Sequence, residues 1–168
     1  MDSVRPASKM KILSLDQALV TTGWAIFKQN KLVKSGTFSI KSTLPIGARL
    51  GAFWKELNNL YSIYEFEYIA FEDIQNQNNN ETYKKLAMVQ SAIYLWCFFQ
   101  NVMCGVASPS HWRSVLGGNF GKKREEQKQA AINYVKNYCD KEVSSDEADA
   151  VCIGLAYIKE KEKNKRVF

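Results

Sequence analysis

The chain has 168 residues, of which 46% are hydrophobic and 24% are charged, and this composition is typical of one folded globular domain. Lysine and arginine together number 23 against 17 aspartates and glutamates, which gives a net charge of +6. The positive excess favours a polyanionic partner such as nucleic acid. The most hydrophobic stretch, residues 86–106, contains Gln90, Ser91, Gln100 and Asn101, and these polar residues argue against a membrane span.

The sequence predicts one domain over residues 10–160, because it contains neither an internal repeat nor a linker. Residues 1–9 carry charge and a proline but no apolar stretch, so we interpret them as a flexible extension and not as a signal peptide. Residues 161–168 form a charged C-terminal tail. The four cysteines include no C-x-x-C pair, and we therefore expect reduced thiols, no structural zinc and a cytoplasmic location.

Hydrophobic periodicity and turn residues predict an α/β fold with a mixed sheet. The predicted elements are, in chain order, strands at 10–16, 24–27 and 32–40, a helix with Pro45 in its first turn, a strand at 68–71, a helix at 81–103, a strand at 104–108, a helix that ends at Asp140, and a last helix capped by Ser144 or Ser145. The first three strands are antiparallel, with a tight turn at 29–31 between the second and the third.

Acidic residues stand at the ends of two buried strands and at the start of the last helix. Asp16 ends the first strand and Glu72 follows the fourth, whereas Asp146 and Asp149 are three residues apart and so project from one helix face. A carboxylate is rarely buried without a partner, because desolvation of its charge is costly. Oxygen ligands alone suit Mg²⁺ or Mn²⁺, and we therefore predict a divalent metal site at these four acids.

Each acid also has a purely structural interpretation. Asp16 could cap a turn, Asp146 could favour the positive end of the helix dipole, and Glu72 with Asp73 could mark the ordinary change from strand to loop. The joint placement on the first strand, the fourth strand and the last helix favours the functional interpretation.

The order of these elements and acids resembles the ribonuclease H-like superfamily, and within it the RuvC-type Holliday-junction resolvases, particularly the shorter versions carried by bacteriophages. The segments that carry this resemblance are LDQALVTTGWAI at 15–26, IAFE at 69–72, KLAMVQ at 85–90, PSHWR at 109–113, GKK at 121–123 and DEADA at 146–150. The resemblance implies a central mixed five-stranded sheet, flanked by helices, and a metal-dependent endonuclease that cuts branched DNA, with Mg²⁺ as the cofactor and Mn²⁺ as a substitute.

The same resemblance assigns roles to individual residues. The implied catalytic and metal-binding acids are Asp16, Glu72, Asp146 and Asp149, Lys123 is the implied catalytic cation, and the implied DNA-contacting residues are Gln75, Arg113, Lys122, Lys123 and Arg124. Three positions at two sites depart from the family pattern. The Pro-Gly that commonly follows the first acid is Gln17-Ala18 here, and Gln75 stands where cellular members have an aromatic wedge.

His111 is the only histidine of the chain, and a histidine joins the metal site in some relatives. Its segment lies away from the helix with Asp149, so we favour a structural role for His111.

The long helix predicts a homodimer, because its later part is apolar on more than one side. We expect Lys85, Met88, Ala92 and Trp96 to face the partner, or else the neighbouring stripe of the same helix, shifted from these residues by one position. Two other functions stay open at this point: a related nuclease that acts on RNA or an RNA–DNA hybrid, and a non-catalytic protein that binds branched DNA.

Overall fold

The computed structural model describes residues 10–75 and 79–165, except for the side chain of Lys165. Its strands are β1 (Lys11–Asp16), β2 (Thr21–Lys28), β3 (Lys31–Ser39), β4 (Tyr68–Glu72) and β5 (Met103–Ala107). They form one sheet in the order β3-β2-β1-β4-β5, in which β1, β2 and β3 are antiparallel and β4 and β5 run parallel to β1. The mixed five-stranded sheet predicted from the sequence is therefore confirmed.

Within the part of the chain that the structure describes, five helices accompany the sheet. They are α1 (Ile46–Tyr64), α2 (Asn80–Gln100), α3 (Pro109–Leu116), α4 (Arg124–Cys139) and α5 (Ser145–Lys165). Among the described residues, no helix combines the length and the hydrophobicity that crossing a bilayer requires.

Several boundaries differ from the sequence-based prediction. Helix α2 ends before Met103, because Asn101 adopts a left-handed backbone conformation and closes the helix. Pro45 occupies the N-cap of α1 and not its first turn. The eight-residue helix α3 was not predicted, although Ser108 caps it and a proline opens it.

The two ends of the chain bear on the predicted domain boundaries. The predicted charged tail begins inside α5, which continues to Lys165. Residues 1–9 and 166–168, and with them the predicted N-terminal extension, lie outside the described residues.

Helices cover both faces of the sheet. Successive residues of β1 point to opposite sides, so Ile12 packs with α3, α4 and α5, whereas Leu13 and Leu15 pack with α1 and α2. Ser14 lies under α5, where its hydroxyl donates a hydrogen bond of 2.7 Å to the carbonyl of Ala150. The first strand is thus buried on both faces, as its composition predicts, and its last residue is held between two helical layers.

One of the four residues predicted on α2 for the subunit interface is buried inside the domain, whereas Lys85 and Met88 are exposed and Ala92 is half-buried. Trp96 is fully buried, and its indole N–H donates a hydrogen bond of 2.8 Å to Asn58 of α1. Its assignment to a subunit interface is therefore wrong. Exposed apolar side chains lie on both candidate stripes and near the end of the helix: Met88 is 44% exposed, and Leu95, Phe98 and Phe99 are 55%, 79% and 69% exposed.

Candidate active site

An acidic cleft opens where β1 and β4 end and α5 begins. The residues that line it are Asp16, Glu72, Gln75, Pro109, Arg113, Lys122, Arg124, Gln127, Lys128, Asp146 and Asp149. All four acids named from the sequence thus share one cleft, together with Gln75, Arg113, Lys122 and Arg124. Lys123 does not line it: this residue is the N-cap of α4.

The sheet topology brings the first two acids together. Strands β1 and β4 are parallel neighbours, with Leu15 opposite Phe71, so the residues that follow each of them emerge at the same sheet edge. The carboxyl ends of parallel strands are where α/β proteins place their sites.

A glycine brings the other two acids to the same point. Gly23 of β2 lies opposite Asp16, and a Cβ atom there would overlap the backbone carbonyl of Asp146. The missing side chain lets the start of α5 rest on the sheet beside Asp16, and Asp149 follows one turn later. Gly23 was part of the family-like segment, but the sequence did not indicate this steric role.

Burial and neighbouring acids raise the pKa of Asp16 and of Asp149. The pKa of Asp16 lies well above its usual value, first because the side chain is buried and then because Glu72, Asp149 and Asp146 are negatively charged. The pKa of Asp149 is raised to about 7, again mainly by burial and next by Glu72. Burial and mutual repulsion therefore both disfavour the ionised forms of Asp16 and Asp149, and a bound divalent cation would relieve both effects.

Glu72 is held at both its side chain and its backbone. The indole N–H of Trp112 donates a hydrogen bond of 2.8 Å to Oε1 of Glu72. Burial raises the pKa of Glu72, whereas the Trp112 hydrogen bond and the charge of Arg113 oppose that rise. The side chain of Gln17 bonds to the backbone N–H and carbonyl of Glu72. Neither Gln17 nor Trp112 was predicted as a site residue.

The donor set of the cleft fits a hard divalent cation. Among residues 10–75 and 79–165, no three His, Cys, Asp or Glu side chains already lie close enough to hold an ion between them. Mg²⁺ does not need such a cage, because it keeps several waters and is bound by one or two carboxylates with substrate phosphates. The described residues that line the cleft include four carboxylates and neither a cysteine nor a histidine, which matches that chemistry and not the chemistry of zinc.

Cations border the acids on the side of α3 and α4. The carboxylate of Glu126 accepts hydrogen bonds of 2.9 and 3.0 Å from the backbone N–H groups of Lys122 and Lys123, and these bonds fix the chain before α4. Lys122 and Arg113 line both the acidic cleft and a neighbouring groove along residues 117–121. The two surfaces are therefore continuous and form a positively charged approach to the acids.

Lys128 is a cleft residue that the sequence analysis missed. It lies one helical turn after Arg124 on the same side of α4, and it lines the cleft beside the acids. Its charge lowers the pKa of Asp16 and of Asp149, although less than burial raises each of them. The i, i+4 spacing from Arg124 was the signal that could have identified it.

His111 takes no part in the cleft. Its Nε2 lies 3.0 Å from Oε1 of Glu160 on α5, and the residue lines a separate cavity of about 200 Å³ beside β5. The expectation that this segment lies away from the helix with Asp149 is therefore wrong, since Glu160 belongs to that helix; His111 nevertheless does not line the acidic cleft.

The sheet order, the carboxylate cleft at the strand ends and the adjoining cations define a nuclease of the ribonuclease H-like class. The family model described as crossover junction endodeoxyribonuclease RuvC matches residues 12–157. The chain belongs to this family.

Relatives and solved structures agree with that assignment. The crossover junction endodeoxyribonuclease RuvC of Caldicellulosiruptor saccharolyticus is 22% identical over 154 residues, which are 89% of this chain and 92% of that protein. The same enzyme of Ehrlichia ruminantium, strain Gardel, is 26% identical over 156 residues, which are 89% of this chain and 96% of that protein.

Two structures solved with DNA share the fold. The T. thermophilus RuvC in complex with a Holliday junction substrate superimposes with a TM-score of 0.76 at 16% identity, over 92% of this chain and 96% of that one. The Fowlpox virus resolvase in complex with substrate Holliday junction DNA gives a TM-score of 0.57 at 18% identity, over 90% and 98% of the two chains.

Proposed function

We propose that this protein resolves four-way DNA junctions by metal-dependent hydrolysis of phosphodiester bonds. The observation that supports this function most strongly is the convergence of Asp16, Glu72, Asp146 and Asp149 in one cleft, in a chain of the crossover junction endodeoxyribonuclease family. The same chemistry extends to forks and other branched DNA, because the cleft acts on the phosphodiester that they share.

The four acids would hold Mg²⁺, for which Mn²⁺ substitutes. A bound divalent metal would supply Lewis-acid chemistry to the attacking water and the leaving 3′ oxygen. Asp16 ends the central strand, and we propose that it would be the ligand shared by two ions. Glu72 would help to hold one ion, and Asp146 with Asp149 would help to hold the other.

The basic residues would hold the DNA. Arg113, Lys122 and Arg124 line the cleft and can neutralise charge that builds on the scissile phosphate. Lys123 would contact a phosphate outside the cleft, since Glu126 holds the backbone N–H groups of Lys122 and Lys123. Gln75 lies at the cleft rim, where the loop after β4 begins, and would contact the junction strand.

The protein would act as a homodimer. A junction needs two symmetric nicks, whereas one chain supplies a single acidic cleft. An exposed apolar surface, which we call the α2 face, is available for self-association; it consists of Leu50, Tyr83, Ala87, Met88, Ala92, Leu95, Phe98 and Phe99. Exposed aromatic and methionine side chains of this kind are enriched at the cores of interfaces.

A cleavage assay on matched substrates tests the function. Labelled four-way junction, fork, linear duplex and RNA–DNA hybrid are incubated with the protein, with and without Mg²⁺, and the products are mapped. We expect paired cuts in opposite junction strands that require Mg²⁺. Preferential cutting of the hybrid would replace this proposal with the RNA-acting alternative. Tight junction binding without cleavage in the presence of Mg²⁺ would replace it with the non-catalytic one.

A further inference from the structure

The side chain of Gln17 prolongs the β1/β4 ladder beyond its last paired residues. The last pair of the ladder is Leu15 with Phe71. Beyond this pair, the side-chain amide of Gln17 accepts a hydrogen bond of 3.2 Å from the backbone N–H of Glu72 and donates one to the carbonyl of Glu72. A carboxamide offers the same donor and acceptor as a peptide group. Gln17, which is only 6% exposed, therefore takes the place of a backbone partner and fixes the strand end that carries the acid.

Trp112 holds the same acid from the side of α3. Its indole ring is fully buried and packs edge-on against Phe120, with ring centroids 5.5 Å apart. The guanidinium carbon of Arg113 lies 4.6 Å from the centre of the Trp112 ring. With its ring packed in this way, the N–H points at Oε1 of Glu72. A carboxylate has about four lone-pair sites, so the bond orients Glu72 and still leaves oxygen positions for a ligand.

We propose that Gln17 and Trp112 form a two-point clamp on Glu72 and that the clamp, by presetting this carboxylate, raises the affinity of the acidic cleft for its divalent cation. The inference rests on the proposed function in so far as Glu72 binds metal. Both members are positioning residues, since neither would touch the cation or the DNA. The clamp also accounts for Gln17 at the place where the resemblance leads one to expect proline, because proline has no side-chain donor or acceptor for Glu72.

The chain provides a matched control in Trp96. Like Trp112, it is fully buried and donates its indole N–H over 2.8 Å to a side-chain oxygen, but the acceptor is Asn58, which is not part of the cleft. Replacement of either tryptophan by phenylalanine removes one buried hydrogen bond and a similar volume. Only Trp112→Phe should affect the metal site.

The decisive experiment measures metal binding directly. Calorimetric titration of the metal-free full-length protein with Mn²⁺ should give about a 10-fold weaker affinity for Trp112→Phe and for Gln17→Met, the low end of the effect of residues that orient metal ligands. Trp96→Phe should bind Mn²⁺ as the wild type does. Cleavage by the two clamp variants should recover when Mg²⁺ is raised about 10-fold, whereas junction binding in EDTA should not change.

Three outcomes overturn the clamp. One is a wild-type Mn²⁺ affinity in Trp112→Phe and Gln17→Met. Another is an equal loss in Trp96→Phe, which would mean a general effect of destabilisation. The third is lost cleavage that higher Mg²⁺ does not recover. If Trp112→Phe does not fold, Gln17→Met decides the question alone. A wild-type protein that binds Mn²⁺ through the clamp but cuts no junction would refute the proposed function and leave the clamp intact.

Discussion

Asp16 is the acid on which the other three acids of the cleft act electrostatically. Its neighbours Glu72, Asp149 and Asp146 all raise its pKa, and it ends the central strand. Asp16→Asn keeps the size of the side chain but removes a charge and a metal ligand. We expect cleavage to fall by about 100-fold or more, since metal ligation supplies several kcal/mol of transition-state stabilisation. Single-turnover cleavage of a junction measures this effect.

Asp73 provides the control for that substitution. It follows Glu72 directly, but its carboxylate accepts a hydrogen bond from Gln90 and does not line the acidic cleft. Asp73→Asn should cut at close to the wild-type rate. Junction binding by Asp16→Asn in EDTA should equal or exceed that of the wild type, because one negative charge no longer faces phosphate. Near-normal cleavage by Asp16→Asn would refute the role of Asp16 as shared ligand.

The raised pKa of Asp149 predicts how stability depends on pH. The pKa rises from 3.8 to about 7 on folding, so between these values the folded protein holds a proton that the unfolded chain has released. The metal-free protein should therefore lose stability as pH rises from about 4 to 7 and change little above that range. Thermal unfolding in EDTA at pH 5.5 and pH 8 should give the lower Tm at pH 8.

Two measurements isolate the contribution of Asp149. Asp149→Asn should show a smaller fall in Tm between pH 5.5 and pH 8, because the group that titrates has been removed. Mg²⁺ should raise the Tm of the wild type more at pH 8 than at pH 5.5, since the ion takes the place of the proton. A Tm that rises with pH in EDTA would contradict the assigned pKa.

At the scale of elements, the contact between β2 and α5 decides whether the acids meet. A Cβ atom at Gly23 would overlap the backbone carbonyl of Asp146, so Gly23→Ala should displace the start of α5 from Asp16. We expect a loss of about 1–3 kcal/mol in the free energy of unfolding, as for other overpacked sites. Junction cleavage should fall more than this loss of stability explains, because the acids separate. Urea unfolding and cleavage rates provide the two measurements.

Gly51 of α1 provides the matched control for the substitution at Gly23. Nothing lies within 4 Å of a Cβ atom placed there, and alanine is favoured over glycine in a helix interior by about 1 kcal/mol. Gly51→Ala should therefore stabilise the protein and leave cleavage unchanged. Equal behaviour of Gly51→Ala and Gly23→Ala would show that close approach of α5 is not what positions the acids.

The start of α4 carries the cations expected to meet DNA. If Lys122 and Arg124 each contact a phosphate, Lys122→Gln and Arg124→Gln should each flatten the plot of log affinity against log salt by about 0.9. Fluorescence anisotropy with labelled junction at several salt concentrations measures this slope. Lys55→Gln on the exposed side of α1 should leave it unchanged. An unchanged slope in a Lys122, Arg124 double variant would place the DNA elsewhere.

At the scale of the whole molecule, the sequence predicts what depends on local pattern. Burial of β1 on both faces, the acids at the strand ends and the order of the elements follow from apolar runs that end on Asp16 and Glu72. The clamp on Glu72 and the buried side of Trp96 could not be predicted, because they depend on which distant segments pack together. The partner of Trp96, Asn58, is brought near it only by the packing of α1 against α2. The pattern of apolar residues along α2 alone could therefore not distinguish Trp96 from an interface residue.

Two symmetric cuts require two acidic clefts, and the exposed α2 face could join the two chains that supply them. The α2 face leaves Leu95 and Phe98 more than half exposed, although burial of such side chains stabilises a protein by about 1.5–3 kcal/mol each. A two-fold contact would cover the same residues of both chains. We expect light scattering at micromolar concentration to give twice the 19.2 kDa mass of the chain. Leu95→Glu should yield monomers, since it places a charge in the apolar contact.

Val33 on β3 supplies the control, because it is similarly exposed, at 54%, but lies outside the α2 face. Val33→Glu should stay dimeric and make paired cuts. The Leu95→Glu monomer should keep an intact acidic cleft and therefore nick single strands, but it should release few fully resolved products, because the second cut no longer follows within the same complex. A wild-type protein that remains a 19.2 kDa species with and without junction DNA would contradict the dimer and favour an enzyme that makes one nick at a time.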